Sequence, residues 1–185
     1  MSVESAYDLQ ALKRIGRIVA QTLQEMAAAL KPGMTTRQLD AIGAARLKRH
    51  GARSAPSLCY DFPGATCISV NEEVAHGIPG ERVVRPGDLV NIDVSAELDG
   101  YFADTGASFP VPPVPERINR LCGAGRSALR QAIEAARSGT PIRRIGRTYA
   151  RVAQREGFTL IRNLSGHGVG RHIHEEPHFV PDLMN

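Results

Sequence analysis

Asp99-Gly100 constrains this chain more than any other pair of residues. It sits in the middle of residues 88 to 109, DLVNIDVSAELDGYFADTGASF, where apolar and β-branched residues alternate with small polar ones on both sides. An Asp-Gly pair between two such runs predicts a β-hairpin, because both turn residues must take positive φ. A two-residue loop pairs Leu98 with Tyr101, Glu97 with Phe102 and Ser95 with Asp104. Asp93 then shares a face with Asp104 and lies diagonal to it, about 7–8 Å apart at Cβ. Both carboxylates have apolar neighbours, Ile92 and Val94 around the first, Phe102 and Ala103 before the second. A half-buried pair of this kind is costly unless a cation or hydrogen bonds compensate. A hard divalent metal would do so. The hairpin alone favours the plainer reading, an exposed polar face.

The rest of the chain must supply a core for that hairpin. Its 185 residues fit one domain that buries about 70% of its unfolded surface. With no Trp and few aromatics, the core rests on Ala, Val, Ile and Leu. Leu9, Leu12, Ile15, Val19, Leu23, Met26 and Leu30 recur at three-and-four spacing and predict a long helix from about Ala6 to Leu30. Lys31-Pro32-Gly33 stops it. Thr35 with Gln38 reads as a capping box for a second helix through Leu39, Ile42 and Leu47, ended by Gly51 in a left-handed conformation. Strand-like pieces follow at 52–58 and 66–70, then the loop NEEVAHGIPG leads into the hairpin. Beyond PVPPVPE, a third helix is expected over 116–138 with Ile118, Leu121, Leu129 and Ile133 on its apolar side. A fourth is expected from Thr140 and Pro141 to Gly157, and a strand over 158–164.

The order of elements repeats. Gly33, a Thr-capped helix and Gly51 recur as Gly139, a Thr-capped helix and Gly157 at the same separation, each led in by a long helix. This predicts an α+β fold of two related halves, about 1–110 and about 116–185, each placing helices beside a sheet. By this register the second half lacks the hairpin that carries Asp93 and Asp104 in the first.

Histidines gather where glycines shape the backbone. His167 lies in S-G-H-G-V-G, followed by His172, His174 and His178, and His76 lies in A-H-G-I-P-G. Carboxylates with imidazoles suit Mn, Fe, Co or Zn better than Mg or Ca. Two such ions sharing a bridging carboxylate can generate hydroxide at neutral pH, with the remaining histidines as hydrogen-bond donors or proton carriers. No nucleophile elbow or P-loop competes. Cys59, Cys67 and Cys122 lack CxxC spacing and suit a reducing cytosol. No apolar run reaches a membrane span and the N-terminus has no signal-peptide pattern, so a cytoplasmic location is expected. The basic residues, scattered along helices, read as solvated surface and supply no specific nucleic-acid motif, although they are compatible with work near ribosomal RNA.

The segments C-I-S-V-N-E-E-V-A-H-G-I-P, N-I-D-V with D-G-Y-F-A-D-T, and S-G-H-G-V-G-R-H-I-H-E-E-P resemble the type I methionine aminopeptidases of the M24 metallopeptidases. The resemblance implies the pita-bread fold of two pseudo-symmetric halves in a single metallopeptidase domain over 1–185, and removal of N-terminal methionine from nascent proteins. It implies that Asp93 chelates one metal, Asp104 bridges two and His167 binds the second. It further implies that His76 and His174 contact substrate near the scissile peptide, and that Phe62 and Cys67 line the methionine pocket. The family's two glutamate ligands would fall after Asn185, so an incomplete second half and doubtful activity of the 185 residues are expected. Ala75 stands where many relatives have Cys. A non-catalytic pita-bread module binding peptides or the ribosome is the alternative.

Overall fold

The computed structural model describes residues 3–161 and 163–180. These form two compact units: one up to Val114 together with Val169–His174, the other from Pro115 to Gly168 together with Glu175 onward.

In the first unit, helix α1 (Ala6–Ala29) is capped by Ser5, whose hydroxyl accepts from the Asp8 N–H. Helix α2 (Thr36–Arg49) opens with the expected capping box of Thr35 and Gln38. Gly33 and Gly51 take φ of +89° and +70° at the two chain reversals. Gly43 lets the helices close on each other, since a Cβ there would lie 2.7 Å from Met26 Sδ.

Strand β1 (Arg53–Ser54) is only two residues long. The strand expected over 52–58 is mostly helix α3 (Ala55–Tyr60), because Ser54 caps its first turn and Pro56 fits its start. Asp61, at φ +51°, ends it. Strands β2 (Cys67–Val70), β3 (Leu89–Leu98) and β4 (Tyr101–Pro110) follow. β1 and β2 pair with one edge of β3 and β4 with the other, all antiparallel. The hairpin register is the one read from Asp99-Gly100: Leu98 opposite Tyr101, Ser95 opposite Asp104. Ile92, Val94 and Ala96 turn inward and pack with Ile15, Val19, Leu23 and Met26 of α1. That leaves Asp93, Ser95 and Glu97 on the opposite face of the sheet.

In the second unit, helix α4 (Glu116–Ala135) and helix α5 (Arg143–Arg155) pack together. α5 starts at Arg143 without a side-chain cap, so the Thr140 cap is not formed. Gly139 and Gly157 do take left-handed conformations, φ +78° and +77°. The expected apolar side of α4 is corrected: Leu121, Leu129 and Ile133 are exposed, while Cys122, Ala124 and Ala132 are buried. On α5 the small Gly146 and Ala150 are buried together with Val152. The strand expected over 158–164 is absent among the described residues, where Ile161 and Leu164 are exposed and unpaired in a sheet. Strands β5 (Gly166–Gly168) and β6 (Glu175–Val180) form a two-stranded sheet.

Candidate active site

The β3 register sets the chemistry. Asp93 lies between Cys67 of β2 and Gly106 of β4, with Asp104 diagonal to it. Directly opposed residues of antiparallel strands project to one side, so Cys67, Asp93 and Asp104 share a face. Asp93 Oδ1 is buried and has no hydrogen-bond partner. Burial first, then the charge of Asp104 and a hydrogen bond with it, push the Asp93 carboxyl up to about 7. A carboxylate held this way is destabilised when ionised unless a cation meets it. Cys67 experiences the same environment. Burial, then the charges of Asp93, Asp104 and Asp40, push its thiol up to about 12, so it stays neutral. The strand that carries Cys67 is anchored by Asp40, which accepts from the Ala65 and Thr66 N–H groups and the Thr66 hydroxyl.

His76 is exposed, with φ of +56°, a rare conformation for a bulky side chain. Its neighbour explains how it is held there. Gly77 N–H donates to Ser69 Oγ at 3.0 Å and its carbonyl accepts from Ile68 N–H at 2.9 Å. A Cβ on Gly77 would come within 2.2 Å of the Ile68 carbonyl oxygen, so only glycine fits against β2. Phe62 is half-buried in the loop after α3, its ring near Gly64 alongside Pro79.

Segment 169–174 carries His174, whose Nδ1 lies 2.5 Å from the Tyr60 hydroxyl. Three further residues of the segment, Gly170, Ile173 and Arg171, hold it in place. Phe102 N–H donates to the Gly170 carbonyl at 2.7 Å, and Ile173 is buried with Ala55 and Phe102. Arg171 donates to Asp8 Oδ1 at 3.1 Å and stacks 3.8 Å over the Tyr101 ring. The buried Tyr101 hydroxyl also donates to Asp8 Oδ1. Hydrogen bonds from the Ser5 hydroxyl, then Tyr101 and the Glu4 N–H, hold the Asp8 carboxyl well below the usual carboxylate range. In the second unit, His167 lies on β5, and its Nδ1 donates to the Gly168 carbonyl at 3.0 Å. That bond places the ring's electron pair on Nε2, the tautomer suited to metal ligation.

The structure thus gathers Asp93, Asp104 and Cys67 on one sheet face, and His174 with Tyr60. Among the described residues, no group of three or more His, Cys, Asp or Glu side chains is placed to hold a metal. The carboxylate pair still fits a divalent ion, on the evidence of the orphaned Asp93 oxygen. Sequence reading passed over Tyr60, for which nothing in the chain gives a signal. It also passed over Asp8, although Ser5-x-x-Asp8 before an apolar run is a legible capping pattern.

Residues 10–184 match metallopeptidase family M24. Methionine aminopeptidase 2 of Bacillus subtilis is 48% identical over 97% of this chain and 73% of its own length. The chain belongs to metallopeptidase family M24. A methionine aminopeptidase of Staphylococcus epidermidis is 49% identical over 100% of the chain and 74% of its own length. Among solved structures, the methionine aminopeptidase of Rickettsia prowazekii superposes with a TM-score of 0.91 at 32% identity, covering 97% of this chain and 72% of that one. The prolidase of Pyrococcus furiosus superposes with a TM-score of 0.84 at 21% identity, over 98% of this chain and 52% of that one, a likeness of fold. The α+β pita-bread reading therefore stands, and the family implies divalent metal ions.

Proposed function

We propose that this M24 protein removes the N-terminal methionine from nascent proteins in the cytoplasm, near the ribosome, as one catalytic domain of two halves. Its ions would be two, drawn from Co, Mn, Fe or Zn, with Asp93, Asp104 and His167 among their ligands. The observation that carries the reading is the buried, unpartnered Asp93 oxygen beside Asp104, a destination for a cation and a liability without one. A divalent ion held there supplies Lewis acidity toward a peptide carbonyl and an activated water. The remaining roles belong to side chains. His174 donates a hydrogen bond to the scissile carbonyl, oriented by Tyr60 on one side and by the Arg171 and Ile173 anchors of its own segment. His76 stands by the departing amide, and Phe62 with the neutral Cys67 lines the methionine pocket. A small second residue in the substrate is expected.

Hydrolysis of Met-Ala-Ser by the full chain tests this. Slow metal-dependent release of methionine, at the rate that Asp93, Asp104 and His167 support without further ligands, lost with Asp104→Asn and absent with Leu-Ala-Ser, is the expected result. No release with any of the four metals, or release undiminished by Asp104→Asn, would overturn the reading.

A further inference from the structure

The chain's positive charge is divided unevenly. Its first 114 residues carry 11 Lys and Arg against 13 Asp and Glu, whereas the remaining 71 carry 12 Arg, no Lys, and 6 Asp and Glu. The arginines look scattered in the sequence, but folding collects them. Helix α5 holds five arginines and no acidic residue in 13 positions. Arg144, Arg147 and Arg151 fall at three-and-four spacing on one stripe, opposite the Gly146, Ala150 and Val152 face buried against α4.

That stripe borders a concavity. Arg143, Arg144, Arg147 and Arg151 line an open cavity of about 620 Å³, completed by Gln131 and Glu134 of α4 and by Pro141. All four arginines are exposed, and among the described residues none of them makes an ion pair. Glu134 is the single carboxylate in the lining. Four mutually repelling guanidinium groups around one cavity are stabilised by an anion that spans them.

We infer that the α4–α5 groove binds the phosphate backbone of an RNA. Arginine in place of lysine suits bidentate contact with phosphate oxygens. Arg144 and Arg151 are about 10 Å apart along the helix axis, so one compact anion cannot serve the whole stripe, whereas a polymer of phosphates can. Aromatic residues are absent from the lining, which leaves no stacking platform and predicts binding without base preference. Ile142 is exposed beside the lining, but the exposed Ile133 points about 200° around α4 from Gln131, away from the groove, so the surface has less of an apolar rim than a membrane-lying helix needs. The inference gives a chemical basis to the proposed work near the ribosome. It does not depend on peptide hydrolysis, because binding is read without turnover.

The test is fluorescence anisotropy of the full chain with a 20-nucleotide single-stranded RNA and a second RNA of scrambled sequence. Both should bind alike, with dissociation constants in the micromolar range at low salt. The logarithm of affinity should fall against that of salt with a slope of about −3, the value for four phosphate contacts. Arg144→Glu/Arg147→Glu/Arg151→Glu should weaken binding at least thirtyfold. The charge-matched control Lys13→Glu/Arg17→Glu/Lys48→Glu, on exposed positions of α1 and α2, should stay within twofold to threefold. Circular dichroism checks the fold of each, and Arg147→Gln/Arg151→Gln, expected to weaken binding about tenfold, serves if the triple variant does not fold. Absence of saturable RNA binding, equal weakening by the control, or tighter binding to polyglutamate, which would make the groove a site for acidic polypeptides, would each overturn the inference.

Discussion

Both units open with the same punctuation, a long helix, a left-handed glycine, a second helix and a second left-handed glycine, yet they bury different things. In the first, Ile15, Val19, Leu23 and Met26 of α1 lie against the β3–β4 hairpin, and the core is made of large aliphatic side chains. In the second, where α4 and α5 pack together, the buried residues are mostly small, Cys122, Ala124, Ala132, Gly146 and Ala150 beside the larger Val152, and Leu121, Leu129 and Ile133 stay exposed. A helix pair can close largely on small residues, but many large apolar side chains need a broad surface, which in the first unit is the sheet. The hairpin therefore has two roles. One face organises the core, and the other presents the carboxylates.

Truncating one aliphatic in each unit separates the two kinds of packing most strongly. Ile92→Ala should cost about 2–5 kcal/mol in urea unfolding, from lost transfer and the cavity left behind. Ile133→Ala, on the exposed face of α4, should stay within about 0.5 kcal/mol. Equal losses would mean that the second unit has a core of the same kind.

The next effect belongs to the carboxylate face. Asp93 titrates near 7 in the folded chain and near 3.8 when free, so unfolding releases its proton between those values. Stability of the metal-free chain should fall as pH rises from about 4 through about 7, by at most about 4 kcal/mol. Asp93→Asn should flatten that dependence in thermal melts, and Mn²⁺ should restore stability to the wild-type chain alone. A pH profile unchanged by Asp93→Asn would refute the assignment.

Smaller effects separate anchoring from packing. Tyr101→Phe removes a buried hydrogen bond to Asp8 and should cost about 1–3 kcal/mol. If segment 169–174 positions His174, Arg171→Ala should lower kcat for a methionyl peptide more than it raises KM. Gly123→Ala, in α4 where a Cβ would meet nothing within 4 Å, should stabilise by about 0.5–1 kcal/mol.

The first unit was legible in sequence because its signals are local. Thr35 with Gln38 specifies a helix start, and Asp99-Gly100 fixes a register that carries Asp93 and Asp104 to one face. Segment 52–58 misled because five of its residues, Ser54 to Leu58, enter a cap and helical turn set by Ser54 and Pro56, which outweighed a short apolar run. Residues 158–164 read as a strand on apolar content, but a strand needs a partner edge, and no local pattern reports one. Contacts such as Tyr60 with His174, 114 residues apart, arise only from topology. The arginine stripe was hidden for a related reason: Arg144, Arg147 and Arg151 are close in sequence, but no local pattern reports the concavity against α4 that they line.

Calorimetric titration of Mn²⁺ into the metal-free chain at pH 7.5, beside Asp93→Asn, shows whether the carboxylate face holds a cation. The carboxylate pair as a cation site predicts saturable binding to the wild type that weakens at least tenfold in the variant, about 1.4 kcal/mol. Equal affinity in the two proteins would contradict it.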